Sequence, residues 1–292
     1  MHAGSIPAAA SKIDPGRSLR VARDRDELRG RIIFPFWEIV IAPLVRAVAP
    51  TCMVEIGALR GDTTMALLES LESDVRLHVI DPVPQFDPAE HKQRFRGQYI
   101  FHEDTSLNVL PTLEPVDIAL IDGDHNWYTV YNELRLLDSQ ARAAETLTPV
   151  FILHDVSWPY GRRDGYYAPA QIPDRFRQPN AQLGLERGNA GLLEEGGMNR
   201  HVWNATHERG AHNGVRTALE DFLDANPLAF RSVVFDFHVG LALAVPTERL
   251  ARQPELSAML DRWETDEGSR QVYEQTRAIA REAFASGKHR LG

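Results

Sequence analysis

Apolar and polar positions follow two alternating rhythms between residues 50 and 155. Short, nearly continuous apolar runs end in glycine or acidic residues. Each is followed by a stretch with apolar residues every three or four positions. The first pattern suits a strand buried on both faces and the second an amphipathic helix. Strands are therefore expected at 53–56, 76–80, 99–102, 116–121 and 150–153, and helices at 63–71, 89–95, 106–113 and 127–137. Alternation at this spacing implies parallel βαβ units. Upstream, 24–48 carries a broad apolar face of Ile32, Ile33, Phe36, Trp37, Ile39, Val40, Leu44 and Val45. It reads as helix that Pro35 and Pro43 break or kink.

The rhythm stops after Asp155. Residues 156–213 are rich in Pro, Gly, Asn and Arg, and hold Trp158, Tyr160, Tyr166, Tyr167, Phe176 and Trp203. So many aromatics argue against disorder, and a loop of this length in a compact domain is a lid or a binding loop. A helix is expected again at 214–225. Runs 230–237 and 241–245 read as a hairpin with a tight turn at Val239-Gly240, and 256–284 as a charged helical region. The expected fold is α/β, a Rossmann-like doubly wound seven-stranded sheet, mostly parallel with one antiparallel strand. One domain spans 20–292. It has N-terminal helices at 20–48, an insertion at 156–213 after the fifth strand, and a C-terminal helical region at 247–292, behind a flexible tail at 1–19.

Composition narrows the function. With 292 residues, 43% hydrophobic, the chain can bury a large core. Its 32 basic and 41 acidic residues give a net charge of -9, which argues against a nucleic-acid or membrane-surface binder. No run approaches the roughly 20 apolar residues of a membrane span, and residues 1–16 lack the apolar core of a secretion signal. The single cysteine, Cys52, excludes an intrachain disulfide and fits a reducing compartment. A cytoplasmic protein is expected. The N-terminal and C-terminal helices leave room for a homo-oligomer.

The candidate chemistry lies at the strand ends. Val54 to Thr64 reads as strand, glycine turn and helix. Gly57 and Gly61 permit positive φ and close approach by a ligand, Asp62 or Thr63 can cap the helix, and free amides there attract an anion. Asp81 follows the second strand, where an acid suits ribose hydroxyls. Together they indicate an adenosine ligand. The carboxyl ends of the strands, where open α/β sheets bind ligands, also carry Glu55, Asp104, Asp122-Gly123-Asp124-His125 and His154-Asp155. Buried carboxylates are costly unless paired or ligated, so the set calls for hydroxyls, a cation or a metal. Histidine suits proton removal near neutral pH. Taken singly, each could equally be a helix cap or a strand-end residue bonding its neighbours. Arg162-Arg163 is either an anion fork or a solvated pair.

The five strands with Glu55-x-Gly57-x-x-x-Gly61, then Asp81, then Asp104-Thr105-Ser106 and a closing hairpin, resemble a class I S-adenosylmethionine (SAM) methyltransferase over about 50–155 and 214–246. The resemblance implies SAM as cofactor, held by Glu55, Gly57, Ala58, Gly61, Thr63, Asp81, Asp104, Thr105, Ser106, Asp122 and Gly123. Ile121-Asp122-Gly123-Asp124-His125-Asn126-Trp127-Tyr128 also resembles the Asp-Ala-Asp-Lys-x-Asn-Tyr stretch of metal-dependent caffeoyl-CoA and catechol O-methyltransferases. That match implies Mg²⁺ on Asp122 and puts His125 in the place of the lysine base. Those enzymes carry Asp-Asn after the next strand. Here Asp155 matches the Asp, Val156 stands for the Asn, and His154 precedes them, where macrolide-sugar and cephamycin-type methyltransferases carry an acidic pair. The implied metal set is Asp122, His154 and Asp155, with His125 and His154 as catalytic candidates. The Asp-Gly-Asp-His stretch and the long insertion are similar to the bacterial methyltransferase 24 and macrocin O-methyltransferase-like group.

The implied activity is metal-assisted O-methylation of a small polar metabolite, a sugar or glycosylated natural product, with Trp158, Tyr160, Arg162, Tyr166 and Tyr167 as acceptor walls. Three alternatives stand beside it. A metal-independent methyltransferase would use a His base on oxygen or nitrogen. An NAD-dependent oxidoreductase conflicts with a turn that is not Gly-x-Gly-x-x-Gly. A non-catalytic nucleotide-binding module would have no use for Asp122, His125 and Asp155 together.

Overall fold

A computed structural model of the protein describes residues 35–285. The expected tail and the first part of the N-terminal helix lie outside the described residues. The main strands are β1 (Cys52–Ile56), β2 (Arg76–Ile80), β3 (Tyr99–His102), β4 (Ile118–Ile121) and β5 (Val150–His154). Three short strands follow in the insertion, β6 (Gly165–Tyr166), β7 (Asn180–Ala181) and β8 (Trp203–Ala205), and then β9 (Phe230–Phe235) and β10 (Leu241–Pro246). Seven of them form a sheet in the order β3-β2-β1-β4-β5-β10-β9. β10 runs antiparallel to both β5 and β9, which makes it the reversed strand of a sheet whose β1, β2 and β3 pair in parallel. This is the α/β architecture expected from the alternating rhythm. Among the described residues no helix is long and apolar enough to cross a membrane.

The chain falls into two compact units. One comprises residues up to Thr105, Val116–Ile118 and the residues from Gln253 on. Its strands are mostly apolar, with Met53, Val54, Leu77 and Val79 fully buried. A π-helical turn, Trp37–Ile41, passes directly into a helix at Ala42–Val48. Pro43 is the second residue of this helix, just after the π-helical turn, and so marks the change from π to α and not an end of the helix. Helices Pro254–Trp263 and Asp266–Ala285 complete the unit, and Gln253 Nε2 donates to the Val48 carbonyl at 3.0 Å.

The helix after β1 spans Asp62–Ser70, and its N-cap is Gly61 at φ 76°, with no side-chain capping bond. Asp62 and Thr63, both expected caps, lie inside the first turn instead. The glycine already makes the bend that a capping side chain would have stabilised.

The second unit comprises Ser106–Pro115 and Ala119–Arg252. Its long helix, Trp127–Ala143, is capped by Asn126, whose Oδ1 accepts from Thr129 N at 2.9 Å. The helix runs six residues past the expected end at Leu137, through a polar stretch held by an Arg142–Asp138 ion pair of 2.8 Å. The insertion has its own architecture, a three-stranded sheet in the order β6-β8-β7, and its interior includes Tyr166, Ile172, Leu185, Val202 and Asn204.

Candidate active site

In the first unit, the glycine turn and Asp81 form one piece of structure. Gly57 has φ 86° and Leu59 φ 48°. Asp81 Oδ2 accepts from the N–H groups of Ala58 at 2.9 Å and Leu59 at 2.7 Å, while Oδ1 accepts from Val83 N at 2.8 Å. The acid predicted to meet ribose hydroxyls thus also holds the turn in its left-handed conformation. Lone pairs remain on both oxygens for further donors. Glu55 is buried and accepts from the Thr64 hydroxyl at 2.6 Å. The Thr63 hydroxyl is buried at the helix start without a partner. Asp104 is exposed and accepts from Thr105 N at 2.7 Å.

In the second unit, Asp122 follows β4, His154 ends β5 and Asp155 follows it. These three and His125 form a closed ring of alternating acids and imidazoles. His154 Nδ1 lies 3.1 Å from Asp122 Oδ1, and His125 Nε2 lies 2.8 Å from Asp155 Oδ2. The cross distances, His125 to Asp122 and His154 to Asp155, are both 3.7 Å. Asp155 reaches this geometry with φ 55°, a conformation uncommon for a residue with a Cβ. Burial opposes charge on the His125 ring, but the Asp155 and Asp122 carboxylates outweigh it and hold its pKa well above the ordinary imidazole value. His154 is raised in the same way, burial being overcome by Asp122 and then Asp155. Burial alone would raise the Asp155 pKa, but His154 and His125 pull it below the usual carboxylate range. Ligand atoms of Asp122, His154 and Asp155 all lie within 4.8 Å of one another, and His154 Nε2 is buried without a partner. Two carboxylates and an imidazole are a donor set that a divalent cation accepts.

The insertion reaches this ring. The Tyr160 ring stacks on His125 at 5.0 Å and 24°, and Tyr167 meets it edge-on at 6.1 Å while remaining 61% exposed. Gly165 N donates to the His125 carbonyl at 2.9 Å. The other expected acceptor walls are engaged elsewhere. Arg162 forks onto both Glu220 oxygens at 2.5 and 2.7 Å. Tyr166 is buried and its hydroxyl donates to Asp164 at 2.7 Å. The Trp158 ring lies under the Arg187 guanidinium at 4.8 Å.

Two buried acids of the same unit were not expected from the sequence. Glu133 is fully buried, and its Oε1 accepts from Ser106 Oγ at 2.5 Å. Burial pushes its pKa up to about 7 against the pull of the Ser106 hydroxyl. Ser106, expected at the cofactor, therefore has its hydroxyl proton committed to Glu133. Asp164 is the second, an unreadable position in an aperiodic segment. Its Oδ1 accepts from both Trp127 N at 2.8 Å and Gly214 N at 2.6 Å.

No curated protein matches this sequence. Residues 54–155 match a family model, methyltransferase 24, described as a methyltransferase domain. That stretch runs from within β1 through β5 and holds the whole acid–imidazole ring. Among solved structures, the SAH-bound methyltransferase PaMTH1 of Podospora anserina is 13% identical, with 70% of this chain and 76% of that one covered, at a TM-score of 0.40. The O-methyltransferase TomG of Streptomyces achromogenes, solved with SAM, is 15% identical over 70% of this chain and 77% of that one, at 0.40. A Bacillus cereus O-methyltransferase, solved with SAH, is 13% identical over 83% and 84%, at 0.39. The fold described above rests on strand order and pairing, and not on these likenesses.

Proposed function

From the methyltransferase domain at residues 54–155, we propose that this chain transfers the methyl group of S-adenosylmethionine to a hydroxyl of a small polar acceptor. The observation that carries the reading is the ring of Asp122, His125, Asp155 and His154 inside the matched stretch. The glycine turn and Asp81 would receive the adenosine, with Glu55, Gly57, Ala58, Gly61 and Thr63 around the turn; Asp104, Thr105, Ser106 and Gly123 are the further cofactor candidates. In-line attack requires the acceptor oxygen to sit about 3 Å from the sulfonium methyl. Tyr160 and Tyr167 supply flat apolar faces beside His125, which suits the ring of a sugar or a glycosylated natural product.

His125 is the proton acceptor in this scheme. The Asp155 and Asp122 carboxylates favour the protonated ring, so they stabilise the imidazolium formed when neutral His125 takes the acceptor's proton. Asp122, Asp155 and His154 would hold a divalent cation, Mg²⁺ or a softer ion given the imidazole. Such a cation, when bound, polarises the acceptor hydroxyl and lowers its pKa. Asp122 orients His154, and Asp155 fixes His125 towards the acceptor. A second reading has a specific observation behind it. His125 Nε2 lies at ion-pair distance, 2.8 Å, from Asp155 Oδ2, a pairing of acid and base that would need no metal.

Calorimetry with SAH and with NAD tests the cofactor. SAH binding without NAD binding is expected, and the reverse would overturn the reading. Turnover before and after chelation, followed by Mg²⁺ and Mn²⁺ add-back, separates the two schemes. Asp122→Asn and Asp155→Asn should abolish metal-stimulated turnover with SAH affinity nearly intact. Full activity after chelation would leave His125 and Asp155 as a metal-free pair.

A further inference from the structure

We infer that Asp164 is a positioning residue for His125. The inference rests on the reading of His125 as the proton acceptor. Asp164 is fully buried, and all its polar contacts lie within the second unit. Its Oδ1 accepts from Trp127 N at 2.8 Å and from Gly214 N at 2.6 Å, the starts of helices Trp127–Ala143 and Val215–Ala225. Its Oδ2 accepts from the Tyr166 hydroxyl at 2.7 Å, which in turn accepts from Gln178 N at 2.8 Å. Its own N–H donates to Asn213 Oδ1 at 2.7 Å.

His125 is thereby bracketed. Two residues downstream, the Trp127 amide is fixed by the Asp164 carboxylate. The His125 carbonyl is fixed by the amide of Gly165, the next residue after Asp164. The insertion also brings the Tyr160 ring onto the His125 ring. Backbone and side chain of His125 are thus both set by the segment around Asp164. A carboxylate shared by two helix starts is a charge-assisted contact of the strong kind. Trp127 has further anchors, its Nε1 donating to Asp221 at 2.7 Å and its ring lying 4.0 Å from that of His212. Truncating Asp164 should therefore loosen His125 locally and not melt the helix.

The test uses the full chain labelled with ¹³C-histidine, the His125 ring signal being assigned by its loss in His125→Gln. Stacking on Tyr160 displaces that ring signal through the ring current of the phenol. In Asp164→Ala the displacement should fall by more than half, while Asp164→Asn, which keeps an acceptor oxygen, restores most of it. SAH affinity should stay within threefold in both. An unchanged ring signal in a folded Asp164→Ala overturns the inference. So does a more than tenfold loss of SAH affinity, which would mark a general collapse. If Asp164→Ala does not fold, Asp164→Ser takes its place. Its shorter side chain cannot hold both the Trp127 and Gly214 amides, and an unmoved His125 signal there overturns the inference equally. Absence of SAH binding by the unaltered protein would instead defeat the methyltransferase reading, and leaves the ring signal to decide the role of Asp164 separately.

Discussion

Two carboxylates show how far a residue's role can be read from its position. As a candidate ligand acid, Asp81 was legible because it follows a strand next in order after the glycine turn. Its grip on the Ala58, Leu59 and Val83 amides was not, since the sequence gives no loop geometry. Asp81→Ala removes three charge-assisted hydrogen bonds, each worth about 1.5–3 kcal/mol, and frees Leu59 from its positive φ. SAH affinity should drop at least tenfold. An SAH analogue lacking the ribose 2′-hydroxyl separates turn from ligand. If Asp81 also meets the ribose, the analogue binds worse than SAH to the unaltered protein but equally to Asp81→Ala. Equal losses in both proteins would confine Asp81 to the turn. Glu133 was not legible, because a lone acid in a helix reads as solvated. It is buried, with a pKa of about 7. Between the ordinary value of 4.5 and 7 the unfolded chain gives up this proton while the folded chain keeps it. The stability that Glu133 contributes is therefore fully present below pH 4.5 and is lost as pH rises to 7. Glu133→Gln should flatten that decline and gain roughly 1–3 kcal/mol at pH 8, measured by urea unfolding from pH 5 to 8. A decline as steep as in the unaltered protein would refute the assignment.

At the scale of elements, what was legible followed burial on both faces. Strands β1 to β5 were found within a residue or two because their apolar runs admit little else. The end of the long helix was missed because 138–143 is polar, although Asp138 and Ala141 are buried. The insertion's strands are two or three residues long, too short for a period of two to register. What holds that segment is a set of close backbone approaches. Gly214 has φ 98°, and an added Cβ would lie 2.6 Å from both Arg163 N and the Gly161 carbonyl. Gly188 has φ 90° with nothing within 4 Å of the same atom. Gly214→Ala therefore adds a backbone clash to the conformational strain, and should cost roughly 2–4 kcal/mol. Gly188→Ala should cost only about 1 kcal/mol, the strain alone. Comparable melting temperatures for the two variants would show that the insertion is not pinned at Gly214.

At the scale of the whole molecule, the parts of the first unit are distant in sequence. The glycine turn and Asp81 belong to the same compact unit as the helices from Gln253 on. Those helices bury Leu256, Leu260, Trp263 and Val272. Periodicity could mark them as amphipathic, but not name the unit they complete, because that pairing joins the two ends of the described chain. At about 1.5–3 kcal/mol per buried side chain, the four contribute roughly 6–12 kcal/mol. That is comparable to the whole stability of a typical domain, about 5–15 kcal/mol. The Gln253 bond to the Val48 carbonyl adds a polar tie to the helix that precedes β1. A chain ending at Arg252 should therefore lose the fold of the first unit, and with it the turn that Asp81 supports. Trp37, buried in that unit, should become solvent-exposed, seen as a red shift of its fluorescence against a Trp37→Phe control. SAH binding should vanish. Far-ultraviolet circular dichroism should retain the helical signal of the second unit, whose own core includes Phe151, Leu134, Leu219 and Phe222. A shortened chain that binds SAH with unchanged affinity would mean the glycine turn stands without those helices, and the first unit would have to be redrawn around β1 to β3 alone.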